Sequence, residues 1–218
     1  MYMNFGNKPI DNEQLSLIIK IAKAIKKEFI YVKGNMLFGC DELYNTLTVV
    51  TMNSPDDLFP VDFDFSVKDL NSYISECSKF GNPFYLGCNG NIKCLYNPMS
   101  NMYYYNEPSI GYYATNIYIN TMNCISNCDK VYSNSDIKSN ESFSTALASK
   151  AKNGAVLCKL TNDQANRYIM SMFSYIHPIA KTDKVTMNLY DDKNTFISEC
   201  IIQKKAYTIN EYIRYLHI

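Results

Sequence analysis

Residues 61–80, VDFDFSVKDLNSYISECSKF, constrain the fold of this chain more than any other stretch. Val61, Phe63 and Phe65 alternate with Asp62 and Asp64, the period of two that marks a strand with one dry and one wet face. Ser66 then supplies a helix N-cap, and Asp69 falls near the positive end of the helix dipole. Val67, Leu70, Ile74 and Cys77 share one helical face, while Lys68, Ser72, Ser75 and Lys79 share the other. The same order is predicted half a chain length later. Residues 155–160, AVLCKL, read as a strand, and Thr161 with Gln164 makes a capping box. Ala165, Ile169, Met172, Phe173 and Ile176 form the apolar face that follows. Arg167, Ser171 and Ser174 form the polar one. A strand–cap–helix unit recurring at this distance points to a duplicated domain.

The rest of the first hundred residues fits that pattern. Asp11 and Gln14 have capping-box spacing, and Leu15, Ile18, Ile19, Ala22, Ile25 and Phe29 carry helical periodicity to about residue 28. Ser16, Lys20, Lys23 and Lys27 lie on the opposite face, with Lys26 on its flank. Hairpins are predicted at 29–39, turning at 33–35, and at 84–96, turning at Asn89-Gly90-Asn91. A strand rich in β-branched residues is predicted at 43–52. These elements make two tandem strand-and-helix half units. Residues 97–114 differ, holding two prolines, a glycine and five tyrosines without clean periodicity. The stretch 99–114 therefore reads as a linker between a domain at 1–98 and another at 115–218. The tyrosines either pack on their own domain or border a partner site. In the second domain a weaker, Asn-rich helix is expected at 115–128. Thr115 is its cap, and Tyr118, Ile119, Met122 and Ile125 turn inward. Short strands follow near 130–133 and 141–148, then a hairpin at 185–203 and a closing strand at 211–218. The expected class is α+β, with two tandem domains of antiparallel sheets and helices.

The chain is 47% hydrophobic with zero net charge, so it can bury a core, and any basic surface must be local. No secretory leader is expected, so its eight cysteines read as reduced thiols. No apolar run reaches the 18 residues of a membrane span. Abundant Asn, Ile, Lys and Tyr with no Trp fit an AT-rich, viral genome, and so a place in the host-cell cytoplasm.

A catalytic constellation is not expected. Neither a phosphate-binding glycine loop nor a CxxC occurs. His177, before Pro178, and His217 are the only histidines. Cys124 and Cys128 lack the paired ligands that zinc needs, and Cys88 and Cys94 flank a hairpin turn. Asp62 and Asp64 share one side of a strand and could hold a metal only with a third carboxylate. No cofactor, metal or enzymatic activity is therefore expected; a binding or structural role is.

The chain resembles the sliding DNA clamps, above all the short two-domain clamps of T4-like phages. VDFDFSVKDLNSYIS looks like their mid-domain strand and helix. The helix at 12–28 with FIYVKGNMLFGCDELYNTLTVV looks like their opening elements, and EYIRYLHI is similar to the closing strand of eukaryotic and archaeal clamps. The resemblance implies a ring, a homotrimer, around duplex DNA. A loader ATPase would close it, and it would tether a replicative polymerase as a processivity factor. Helices would line the hole, where Lys20, Lys23, Lys27, Lys68, Lys79 and Arg167 would face phosphates without reading sequence. A partner peptide would dock against Cys40, Tyr44, Leu47, Tyr215 and Leu216. The alternative is a virion structural protein, a head-to-tail connector or minor capsid component, which needs no confinement of cations to helix faces.

Overall fold

The computed structural model describes residues 3–6, 9–10, 12–40, 46–54, 59, 61–81, 83–106, 111–128, 130–134, 184–191 and 195–216. In chain order it contains β1 (Asn4–Phe5), α1 (Asn12–Ala24), β2 (Phe29–Lys33), β3 (Met36–Cys40), β4 (Thr46–Met52), β5 (Phe63–Ser66), α2 (Val67–Cys77), β6 (Tyr85–Asn89), β7 (Ile92–Asn97) and β8 (Met102–Tyr105). Then come α3 (Gly111–Ser126), β9 (Lys130–Asn134), β10 (Lys184–Asp191), β11 (Thr195–Gln203) and β12 (Tyr207–Leu216). The class is α+β with antiparallel sheets. A strand, a helix and three strands occur twice before α3.

The chain divides into two compact units. One comprises Met1–Cys40 and Ser54–Thr115, the other Asp41–Asn53 and Asn116–Ile218. Within the first, β1-β6-β7-β8 form a four-stranded sheet, and β5, β2 and β3 pair in that order. The pairing is reciprocal between the two half units. The first strand of the first half, β1, pairs with β6 of the second, and the first strand of the second, β5, pairs with β2 of the first. Both pairings are antiparallel.

The helices cover these strands because their apolar residues fall on one stripe. Leu15, Ile18, Ile21 and Ala22 of α1 are buried, as are Val67, Leu70, Ile74 and Cys77 of α2. They meet Ile30, Val32, Leu37, Phe63, Phe65, Phe84, Leu86 and Leu95 in one core. Tyr73 joins it, its ring 5.7 Å from both Phe84 and Tyr104, and its hydroxyl donates to the carbonyls of Leu95 and Met102. The expected cap of α2 is present: Ser66 Oγ accepts from the Asp69 N–H at 3.3 Å. Helix α1 stops at Ala24, short of residue 28. The chain turns through a left-handed Lys26 (φ 51°), and the Lys26 and Lys27 N–H groups return to the carbonyls of Lys23 and Ala22, a Schellman closure.

In the second unit, β4-β12-β11-β10-β9 pair in that order, all antiparallel. The hairpin expected at 185–203 is β10–β11, and the closing strand is β12, four residues longer at its start than expected. Thr46, Thr48, Val50, Ser198, Cys200, Ile202, Ile209 and Ile213 are all buried.

Three expectations are corrected. Residues 102–105 of the expected linker form β8 instead, paired with β7, because Tyr104 buries its ring while Tyr103 and Tyr105 turn outward. Helix α3 begins four residues before Thr115; the Thr115 hydroxyl donates back to the Gly111 carbonyl and does not cap the helix. Ile119 is 54% exposed and not inward, whereas Ala114 and Thr121 are buried. The strands expected at 141–148 and 155–160, the helix after Thr161, and Arg167 lie outside the described residues.

Candidate nucleic-acid interface

Helices α1 and α2 belong to one unit and lie against each other. Both bury one stripe, so their polar stripes emerge together. Ser16, Lys20 and Lys23 of α1 are exposed, as are Lys68, Ser72 and Ser75 of α2. A groove of about 360 Å³ runs between the helices, lined by Ser16, Ile19, Lys20, Lys23, Asn71, Ile74 and Ser75. Across it Lys23 Nζ donates to Asn71 Oδ1 at 2.9 Å. Among the described residues, no carboxylate lines the groove. Asp69 and Glu76 are exposed on α2, seven residues apart and turned away from α1, and Glu13 lies in the first turn of α1 beyond the groove.

The groove thus unites Lys20 and Lys23 with the small polar residues of α2. Lys68 stands exposed in the first turn of α2. Lys79 is exposed past the helix end, beyond Ser78. Lys27 lies apart from the stripe: it follows the α1 closure, and a Cβ on Gly39 of β3 would come within 2.6 Å of its Cγ. Asn71, three residues after Lys68, sits on the same stripe, a position the helical spacing of α2 makes legible.

The residues expected to form a peptide pocket are placed as follows. Cys40 is half-buried at the end of β3. Leu47 is 1% exposed, a core residue of β4. Tyr215 and Leu216 pair with Phe196 and Thr195 at the end of β12. Tyr44 lies outside the described residues. Of the tyrosines at 97–114, Tyr103 and Tyr105 stand with Tyr96 in an outward ladder on the four-stranded sheet, while Tyr104 is buried. Tyr96 and Tyr103 stack at 4.5 Å, Tyr103 and Tyr105 at 6.2 Å, and Phe5 lies 5.0 Å from Tyr96.

A second, more polar cleft of about 320 Å³ holds the carboxylate pair. Tyr31 donates its hydroxyl to Asp62 Oδ2 at 2.8 Å, and Lys93 Nζ donates to the Asp62 carbonyl. Burial, then this hydrogen bond and the charges of Asp62 and Asp64, push the Tyr31 phenol well above its ordinary range. Asp64 is 6% exposed rather than on a wet face. Its Oδ1 accepts from the Gly111 N–H at 2.9 Å, and its own N–H donates to Asn106 Oδ1 at 2.6 Å. The pair ties strands to the start of α3. No group of three His, Cys, Asp or Glu side chains able to hold a metal occurs among the described residues. The seven described cysteines carry thiols and form no disulfide. No described helix is long and apolar enough to cross a membrane.

No protein-family model matches the chain, and no curated protein matches it significantly.

Proposed function

We propose that this protein is a sliding clamp: a ring of two-domain subunits that encircles duplex DNA and tethers a polymerase, with no chemistry of its own. The observation that carries this reading is the shared polar face of α1 and α2, where Lys20, Lys23 and Lys68 stand exposed and no carboxylate among the described residues lines the groove between the helices. It is supported by the twice-repeated strand–helix–three-strand order and by the reciprocal pairing of β1 with β6 and β5 with β2. Such a duplication presents two helices side by side in equivalent positions, as the inner wall of a clamp domain requires. In this reading the helices face the hole, and the cations meet phosphates in any sequence, with affinity that falls steeply with salt. Three subunits make the ring, a loader ATPase closes it, and peptides of its partners dock on it.

Light scattering combined with negative-stain imaging of the same sample tests it. The expected result is a particle of three subunits with a central hole. A closed ring of many more subunits would instead assign the chain to a virion connector.

A further inference from the structure

The outward face of β1-β6-β7-β8 is aromatic and uncharged. The strand register fixes what it carries, because directly paired residues share a face. Phe5, Gly87, Cys94 and Tyr105 lie across it in one row, and Tyr85, Tyr96 and Tyr103 in the next. Neither row holds a charge. Phe5, Tyr103 and Tyr105 are exposed. Apolar side chains exposed singly are ordinary, but a contiguous set of them marks a binding surface. Here the ring contacts run without a break from Phe5 through Tyr96 and Tyr103 to Tyr105. Gly87 makes the room for this array: a Cβ there would lie 2.5 Å from the Phe5 ring.

Size and chemistry together select the occupant. Four strands give a face about 19 Å across and, over five residues, about 17 Å tall, on the order of 300 Å². A stable contact between folded proteins buries about 800 Å² on each partner, so this face is too small to hold a second copy of the chain. It matches a single extended peptide, since about six residues in the polyproline II conformation cross four strands. The rows offer nothing to attract a charged peptide. The hydroxyls of Tyr85 and Tyr105 make no hydrogen bond among the described residues, so the face has donors to spare. A proline-rich segment is the complement. Its carbonyls are unpaired, its rings pack against aromatic side chains, and its backbone is already extended, so docking orders little.

We infer that the outward face of the four-stranded sheet is a docking site for an uncharged, proline-rich peptide. Tyr96 and Tyr103 form the ridge it packs against, and the Tyr105 hydroxyl donates to its carbonyls. The inference does not rest on the clamp reading, which is carried by α1 and α2.

The test uses a fluorescently labelled decaproline peptide titrated with the full chain, read by anisotropy at low and high salt, with thermal melting of each variant to verify folding. Saturable binding that salt leaves unchanged is expected. Tyr103→Ala should lower the affinity about tenfold or more, the loss typical of an aromatic anchor. Tyr105→Phe, which removes only the hydroxyl, should lower it about two- to fivefold. Gly87→Ala displaces Phe5 while keeping every tyrosine, and should weaken binding as well. Ile119→Ala, exposed on α3 and no part of this sheet, should have no effect. The site is overturned if decaproline does not bind, if it binds folded Tyr103→Ala as tightly as the wild type, or if salt releases it. Self-association in light scattering that Tyr103→Ala abolishes would assign the face to a second copy of the chain and overturn the peptide site too.

Discussion

Asp64 illustrates how one side chain's role depends on a neighbour far away in sequence. It alternates with Phe63 and Phe65, the pattern of a residue facing water. Yet it is buried and accepts the Gly111 N–H, one of the donors that the first turn of a helix leaves unpaired. A carboxylate there also complements the positive end of the α3 dipole. The fit is close: a Cβ on Gly111 would lie 2.8 Å from Asp64 Oδ2 and from the Tyr31 ring. Asp64→Ala removes the acceptor and strands a buried N–H, so it should cost about 2 kcal/mol. Asp64→Asn keeps an acceptor oxygen and loses only the charge, and should cost less than about 1 kcal/mol. Urea unfolding with circular dichroism measures both; equal losses would mean that the carboxylate acts through its charge and not as a cap. The metal reading of Asp62 and Asp64 fades for the same reason, since each already takes a donor from the protein.

At the scale of elements, legibility follows the range of the interaction that defines each one. The start of helix α2 is legible because its cap, Ser66, is the adjacent residue, and its apolar stripe runs unbroken from Val67 to Cys77. The hairpin turns are legible because Gly34-Asn35 and Asn89-Gly90-Asn91 are local signals, and both glycines do adopt positive φ. The true start of helix α3, four residues before Thr115, is not legible because the acceptor at its first turn comes from β5, 47 positions away. The polar cluster of the second unit was invisible for the same reason. Glu199 is 6% exposed and accepts from Asn188, Tyr190 and Asn210, three residues that only the strand register brings to one face. Burial, then the hydrogen bond to Glu199 and its charge, push the Tyr190 phenol up to about 12, from 10.0. The folded state therefore keeps this proton at pH values where the unfolded chain releases it. The associated stability is fully present below pH 10 and is lost as pH rises from 10 to 12. Tyr212, raised by burial and by Glu199, steepens the same decline, and Cys128 lies close enough to Tyr190 to add to it. Denaturant midpoints between pH 9 and 12 should fall less steeply for Tyr190→Phe than for the wild type, by up to one proton. An identical slope would place Tyr190 in free exchange with solvent.

For the whole molecule, a net charge of zero concealed what matters. Sequence periodicity located the lysines of α1 and α2 on their polar stripes, but only packing shows which two share a groove and that Lys27 has left the stripe. If the assembled chain encircles DNA, its hold is topological as well as electrostatic, and the two contributions separate by experiment. Salt weakens phosphate contacts because each released counterion gains less entropy in a more concentrated solution, but it does not open a closed ring. On a nicked circular duplex the loaded protein should therefore remain bound through gel filtration at a salt concentration that abolishes binding to short linear duplex. Cutting the circle once should release it, because a ring slides off a free end. Lys20→Glu with Lys23→Glu should lower the affinity for short duplex and flatten its salt dependence, yet leave retention on the circle, since closure depends on subunit joints and not on these lysines. Release from intact circles at the same salt as from linear DNA would mean that the basic face binds the duplex from one side, as an open surface would. The polar stripe of α1 and α2 would then be a docking face and not the wall of a hole.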